Sequence, residues 1–281
     1  MSARLPTVLV PVFNAMAGLD ACVASLDRTL PPGSPVIIAD DASSDPNVES
    51  MARGWCERSK LDARYVRRDG RLGLAANCDA AIRDVDGEDI VLLSPDTVTT
   101  SGWLHKLARC ADRQARVATI VPWSNHAELC SFPRFGDANP PPEFPEAIVE
   151  AAAGIAWPDC PELPTAVGPC MYLRRAAMRE IGGLDTETFI GARAMDDFCL
   201  RASAMGWSNV LCPEVFIVSY NGDSSLGLVG EELSRLVGRW PDYQERVARF
   251  IMSDPLHPLR ERLLARIEEL ARSGPQRDLF N

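Results

Sequence analysis

The 281-residue chain reads as an α/β fold on a mostly parallel sheet. Two observations predict this. Apolar runs of strand length alternate with segments whose apolar residues recur at helical spacing, the pattern of βαβ units. Two of the runs also end directly in acid: Val36-Ile37-Ile38-Ala39 leads into Asp40-Asp41, and Ile90-Val91-Leu92-Leu93 into Ser94-Pro95-Asp96-Thr97. A continuous apolar run suits a strand buried on both faces of a parallel sheet. Ligands of open α/β sheets sit beyond the carboxyl ends of the strands, so both acids stand where a ligand would meet the protein.

Residues 7–12 form the first expected strand. Residues 16–30 carry Leu19, Cys22, Val23, Leu26 and Leu30 on one helical face, and Pro31-Pro32-Gly33 stops that helix. Strands are expected at 36–40, 63–67, 89–93 and 117–121, with helices at 47–60, 74–83 and 102–111 between them. From Pro122 to Pro164 the chain turns proline-rich, with one helical patch at 147–156; apolar and aromatic residues continue through it, so it reads as a functional loop. A second unit follows: a strand at 168–173, a helix at 175–181, a Gly182-Gly183 turn, a helix at 195–205 and a strand at 215–218. From Gly230 onward the chain is helical, with Pro241, Pro255 and Pro258 expected as breaks. The organisation is then 1–121, 122–225 and a helical extension 226–281.

Composition excludes several classes. At 46% hydrophobic the chain can bury a large core, and a net charge of -10 argues against a nucleic-acid partner. The nine cysteines contain no C-x-x-C pair, which removes zinc and thioredoxin-like readings, and their odd number suggests a reducing cytosol. The first strand begins within a few residues of Met1, so no signal peptide is expected. No apolar run approaches the ~18 residues that span a bilayer, and membrane contact is expected to be peripheral at most.

Pro11-Val12-Phe13-Asn14 closes the first strand. Pro11 suits a strand end, and Asn14 is either a ligand contact or a helix cap. Asp40 can accept the N3–H of uracil or thymine; the alternative is a helix-capping Asp/Ser turn. Arg71-Leu72-Gly73 precedes a helix whose N-terminus, with Asn77 in its first turn, would receive a phosphate; alternatively, the basic residues from Arg53 to Arg71 are a solvated face. Pro95 ends ladder pairing, so Asp96 lies beyond the sheet, where one carboxylate with phosphate oxygens and water can hold Mg2+ or Mn2+.

In order, "VLVPVFNA", "VIIADDASSD", "GLAANCDAAI", "DIVLLSPDT", "GPCMYLRRAAMREIGGLD" and "DDFCLRASAMGW" resemble the family 2 inverting glycosyltransferases of the GT-A fold, over residues 5 to 225. "LLSPDT" and "SNHAELCSFPRF" are similar to segments of rhamnosyltransferase-like members. The resemblance implies a nucleotide-sugar donor, a saccharide or lipid-linked acceptor, and work in the cytoplasm or at the inner membrane face. It makes Asp40 the base-reading acid and Asp96 the metal acid, and Gly182-Gly183-Leu184-Asp185 the turn that shapes the pocket. Two positions depart from the family: its acidic pair falls on Ala194 and Met195, and its histidine near residue 219 is replaced by Ser219-Tyr220. Asp196 and Asp197 are then the candidate catalytic acids, Asp196 as the base. A binding or scaffold protein with the same fold is the rival reading. A nucleotidyltransferase is disfavoured, because Val12-Phe13-Asn14-Ala15 is not a glycine-rich phosphate loop.

Overall fold

In the computed structural model, residues 5–136, 139–157, 160–220 and 229–273 are described. The first region runs β1 (Thr7–Val12), α1 (Met16–Thr29), β2 (Pro35–Asp40), α2 (Pro46–Arg58), β3 (Asp62–Arg67), α3 (Leu74–Arg83), β4 (Ile90–Leu93), β5 (Thr97–Val98), α4 (Trp103–Arg113) and β6 (Val117–Ser124). It continues through α5 (Pro145–Ala153), β7 (Cys170–Leu173), α6 (Arg175–Ile181), α7 (Arg193–Ala204) and β8 (Ser208–Ser219) to the helices α8 (Val229–Arg239), α9 (Tyr243–Ser253) and α10 (His257–Ser273).

The strands form one sheet in the order β3-β2-β1-β4-β7-β6-β8-β5. β3, β2, β1 and β4 are mutually parallel. β7 runs antiparallel between β4 and β6, and β8 is parallel to β6. Two antiparallel steps restore direction, so β6 and β8 point the same way as β4. The carboxyl ends of β1, β2, β3, β4, β6 and β8 therefore share one edge. β7, from the expected second unit, sits between β4 and β6 of the first, so the two units interleave in the sheet.

Helices cover both faces. Leu19, Cys22, Val23 and Leu26 of α1 pack on Val8, Val10, Val36 and Ile38, together with α2 and α4. The opposite face takes α3, α5, α6, α7 and the terminal helices, with Trp123, Phe132, Phe198 and Phe216 at its centre. Local chemistry places the ends: Asp45 caps α2 by accepting the Asn47 N–H, and Pro46 occupies the first turn, where its missing N–H costs nothing.

Several sequence expectations change here. β6 runs through Pro122 to Ser124, and β8 is a 12-residue strand around Pro213. Both prolines are tolerated because the ladder is interrupted there: Pro122 pairs with Cys212, and the next pair is Trp123 with Phe216. Pro258 opens α10 instead of breaking it. Cys110 of α4 and Cys160 lie side by side although 50 residues separate them in the chain.

Candidate active site

The loops after β1, β2, β3, β4 and β6 and the end of β8 meet at the carboxyl edge. Asp96 stands one turn beyond β4 at this edge. It is partly exposed, and its Oδ1 accepts a 2.5 Å hydrogen bond from the Ser94 hydroxyl. Its main chain is held on two sides. Its carbonyl accepts the Tyr220 N–H at 3.0 Å, which ties it to the end of β8. Gly18 of α1 packs so closely that a Cβ there would stand 2.8 Å from the Asp96 Cα. A carboxylate on such a support is preorganised for a ligand.

Asp40 has a different environment from the one expected. It is buried, and Oδ1 accepts from the Ser43 N–H at 2.9 Å and the Ser43 hydroxyl at 2.5 Å. Oδ2 accepts from the Tyr65 hydroxyl at 2.5 Å and Arg67 at 2.7 Å. Burial pushes its pKa up, but the bonds from Ser43, Tyr65 and Arg67 outweigh that and hold it below the ordinary value. All the carboxylate lone-pair sites are taken, so no acceptor site remains for a pyrimidine N3–H.

The start of α3 is likewise occupied. Asp41 accepts the N–H groups of Leu72 at 2.6 Å and Gly73 at 2.9 Å, and the Ile190 carbonyl takes the Ala75 N–H. The donors expected to receive a phosphate are thus engaged within the protein. Asn77 is buried, donating to the Ala39 carbonyl and accepting from Arg68, away from any ligand. Gly73 is needed for its backbone: φ is +92°, and a Cβ would lie 2.5 Å from the Ile190 Cγ2. Gly73→Ala is expected to destabilise the fold by ~1–3 kcal/mol, read as a lower urea midpoint with an unchanged slope. An unchanged midpoint would refute this.

Asn14 (φ +54°) crosslinks two loops, accepting the Ser44 and Asp45 N–H groups before α2 and donating its own N–H to the Ser43 hydroxyl. It therefore caps the approach to α2, not the helix next to it. Pro11, inside β1, pairs with Ala39 of β2. Phe13 is exposed at the rim, with the Arg71 guanidinium stacked 4.0 Å over its ring.

The two candidate catalytic acids are both inaccessible. Asp197 is 0% exposed and fully paired: Oδ2 accepts from Arg201 at 2.7 Å, and Oδ1 from Arg239 at 2.9 Å and the Trp240 indole at 3.0 Å. Its role is to fasten α8 to α7. Asp196 is also 0% exposed; Oδ2 accepts from Arg193 at 2.7 Å, while Oδ1 has no hydrogen-bond partner. Burial pushes its pKa up to about 6, partly offset by Arg193 and reinforced by the negative charge of Glu128. Neither carboxylate reaches a surface where an acceptor could dock.

Two residues not expected from the sequence complete the edge. His126 and Glu128 follow β6, in a loop closed by the Phe132 N–H donating to the Ser124 carbonyl at 2.9 Å. Asn125 joins this loop to β8, its side chain accepting the Ser219 N–H and donating to the Ser219 carbonyl. Extending the expected strand from 121 to 124 would have put both residues at the ligand edge. The terminal helices also contribute: Glu232 of α8 accepts the N–H groups of Ile190 and Gly191 at 2.6 and 2.8 Å. The loop beside α3 is thereby held by the tail.

A mostly parallel sheet with a partly exposed acid beyond a central strand has the build of a nucleotide-dependent transferase. The glycosyl transferase family 2 model matches residues 7–182, and the chain belongs to that family. It is a glycosyltransferase of the GT-A fold. A similar curated protein is the N-acetylglucosaminyl-diphospho-decaprenol L-rhamnosyltransferase of Mycobacterium tuberculosis, 25% identical over 252 residues and covering 80% of this chain and 78% of that one. Among solved structures, GalNAc-T7 with UDP, GalNAc and Mn2+ has a TM-score of 0.63 at 12% identity, covering 97% of this chain and 57% of that one. The mannosyltransferase PcManGT of Pyrobaculum calidifontis, in complex with GDP-Man and Mn2+, has a TM-score of 0.57 at 18% identity, covering 98% and 77%. TarS 1-349 of S. aureus with UDP-GlcNAc has a TM-score of 0.54 at 14% identity, covering 98% and 93%.

Proposed function

We propose that this glycosyltransferase moves a sugar from a UDP or dTDP donor to a hydroxyl of a saccharide or lipid-linked acceptor, with inversion, in the assembly of a surface polysaccharide or glycoconjugate. The observation that carries this reading is Asp96: a partly exposed carboxylate, rigidly mounted beyond a central strand, at the edge where six strands end. The rhamnosyltransferase relative supports a lipid-linked acceptor, and the UDP in two neighbouring structures supports a pyrimidine donor. Among the described residues no group of three His, Cys, Asp or Glu forms a complete metal site. Asp96 therefore fits a divalent cation only as one ligand beside the donor's diphosphate and water. Such a cation would offset the charge of the leaving diphosphate. Among the described residues no helix is long and apolar enough to cross a membrane, and in this reading the protein works in the cytoplasm, meeting the inner membrane face only peripherally.

A thermal-shift panel of UDP-, dTDP-, GDP- and CMP-sugars, each with and without Mn2+, tests the reading. The expected outcome is a metal-dependent rise in melting temperature with a UDP- or dTDP-sugar only. Stabilisation by GDP-mannose alone would reject the donor, and stabilisation by none of them would reject the transferase reading.

A further inference from the structure

Transfer to a hydroxyl requires a group that takes the acceptor's proton, and resting on the function proposed above, we infer that this group is Glu128, positioned by Arg193. Several described acids near the carboxyl edge are already engaged or buried. Asp40 has its lone pairs filled by Ser43, Tyr65 and Arg67. Asp41 and Glu232 are buried on peptide N–H groups, and Asp185 is held by Arg239 and the Thr188 N–H. Asp196 and Asp197 are out of reach of solvent. Asp96 is assigned to the donor. Glu128, on the loop between the ends of β6 and β8, keeps an open carboxylate: its side chain is 52% exposed, and the Arg193 Nη1 lies 3.9 Å from its Oε2.

The loop gives that carboxylate a defined place. Asn125 and Leu129 on either side of it are buried. The Ser131 hydroxyl donates to the Ala127 carbonyl and accepts the Ala127 N–H, and the Ser124 N–H donates to the Cys130 carbonyl. A braced turn holds the carboxylate in one place, as a group that must meet a bound acceptor requires.

Arg193 couples Glu128 to α7. Its guanidinium is 19% exposed and bonds Asp196 at 2.7 Å, so its position is set from the buried side. The exposed side then faces Glu128. A carboxylate reaches the start of α7 from the β6 loop, while Ala194 and Met195 on α7 itself are buried and carry no proton acceptor. Asp196 thus acts on the reaction through Arg193, as a positioning residue.

The step balances without a further reagent. The acceptor O–H gives its proton to the Glu128 carboxylate as its oxygen bonds to the anomeric carbon. The bond from that carbon to the diphosphate breaks, and the diphosphate leaves with the electron pair. Glu128 then returns its proton to water.

The test uses the full chain with Mn2+, the donor selected by the panel, and water as the acceptor, so that no acceptor need be identified. Nucleoside diphosphate release gives kcat across pH, and calorimetry gives donor affinity. Glu128→Gln is expected to lower kcat by ~100-fold or more with donor Kd within twofold, and to lose the acidic limb of the pH profile. Glu128→Asp should recover part of kcat together with that limb. Glu128→Gln retaining a third or more of the parental kcat, or losing kcat with the acidic limb intact, would overturn the assignment. Failure of the parent to bind any donor would instead bring down the functional reading on which it rests.

Discussion

Asp96→Ala is expected to remove the Mn2+ dependence of nucleotide-sugar binding and to lower turnover by about a thousandfold, equivalent to ~4 kcal/mol of barrier. The fold should survive, because Asp96 is partly exposed and its carboxylate is bonded by Ser94, only two residues away. The backbone contacts that hold this turn, from Tyr220 and from α1 at Gly18, do not involve the carboxylate. A variant with wild-type melting temperature, metal-independent nucleotide binding and almost no turnover is therefore the result to look for. Undiminished metal dependence in Asp96→Ala would move the cation to another residue and remove the main support for the site.

Asp197→Ala should do the opposite, damaging stability first. Its carboxylate accepts bonds from Arg201, Arg239 and Trp240, and its deletion leaves their donors facing a buried cavity. Breaking a buried ion pair from one side costs about 3–5 kcal/mol; partial exposure of Arg201 (22%) and Arg239 (37%) lowers the expectation to ~3 kcal/mol. Urea unfolding measures this directly. Because Asp197 links α7 to α8, early release of α8 should also appear as loss of amide protection in 229–239 before global unfolding. A stability within 1 kcal/mol of the parent would show that the network is not what fastens the tail.

Most of the scaffold was readable from the residues themselves. Val36 to Ala39 and Ile90 to Leu93 are apolar without interruption because strands buried on both faces have no polar side to spare. Helices α1 and α3 announce themselves by stripes at helical spacing and by the Pro and Gly that bound them. The position of Asp96 just past β4 was legible too, since a proline after an apolar strand ends its ladder there.

What tertiary structure alone decided is which polar groups remain available to a ligand. Asp40 and Asp96 occupy similar positions after strands, yet Asp40 is saturated because Tyr65 and Arg67 arrive from the neighbouring β3. Asp197 loses its candidacy to Arg239 and Trp240, 42 and 43 residues away at the end of α8, in a region the sequence marks only as an extension. Glu128 became visible only when β6 ran past Pro122 and brought the next loop to the ligand edge. Hydrophobic periodicity is a local property and survives in the sequence, whereas a carboxylate's burial and its hydrogen-bond partners are set by segments remote along the chain.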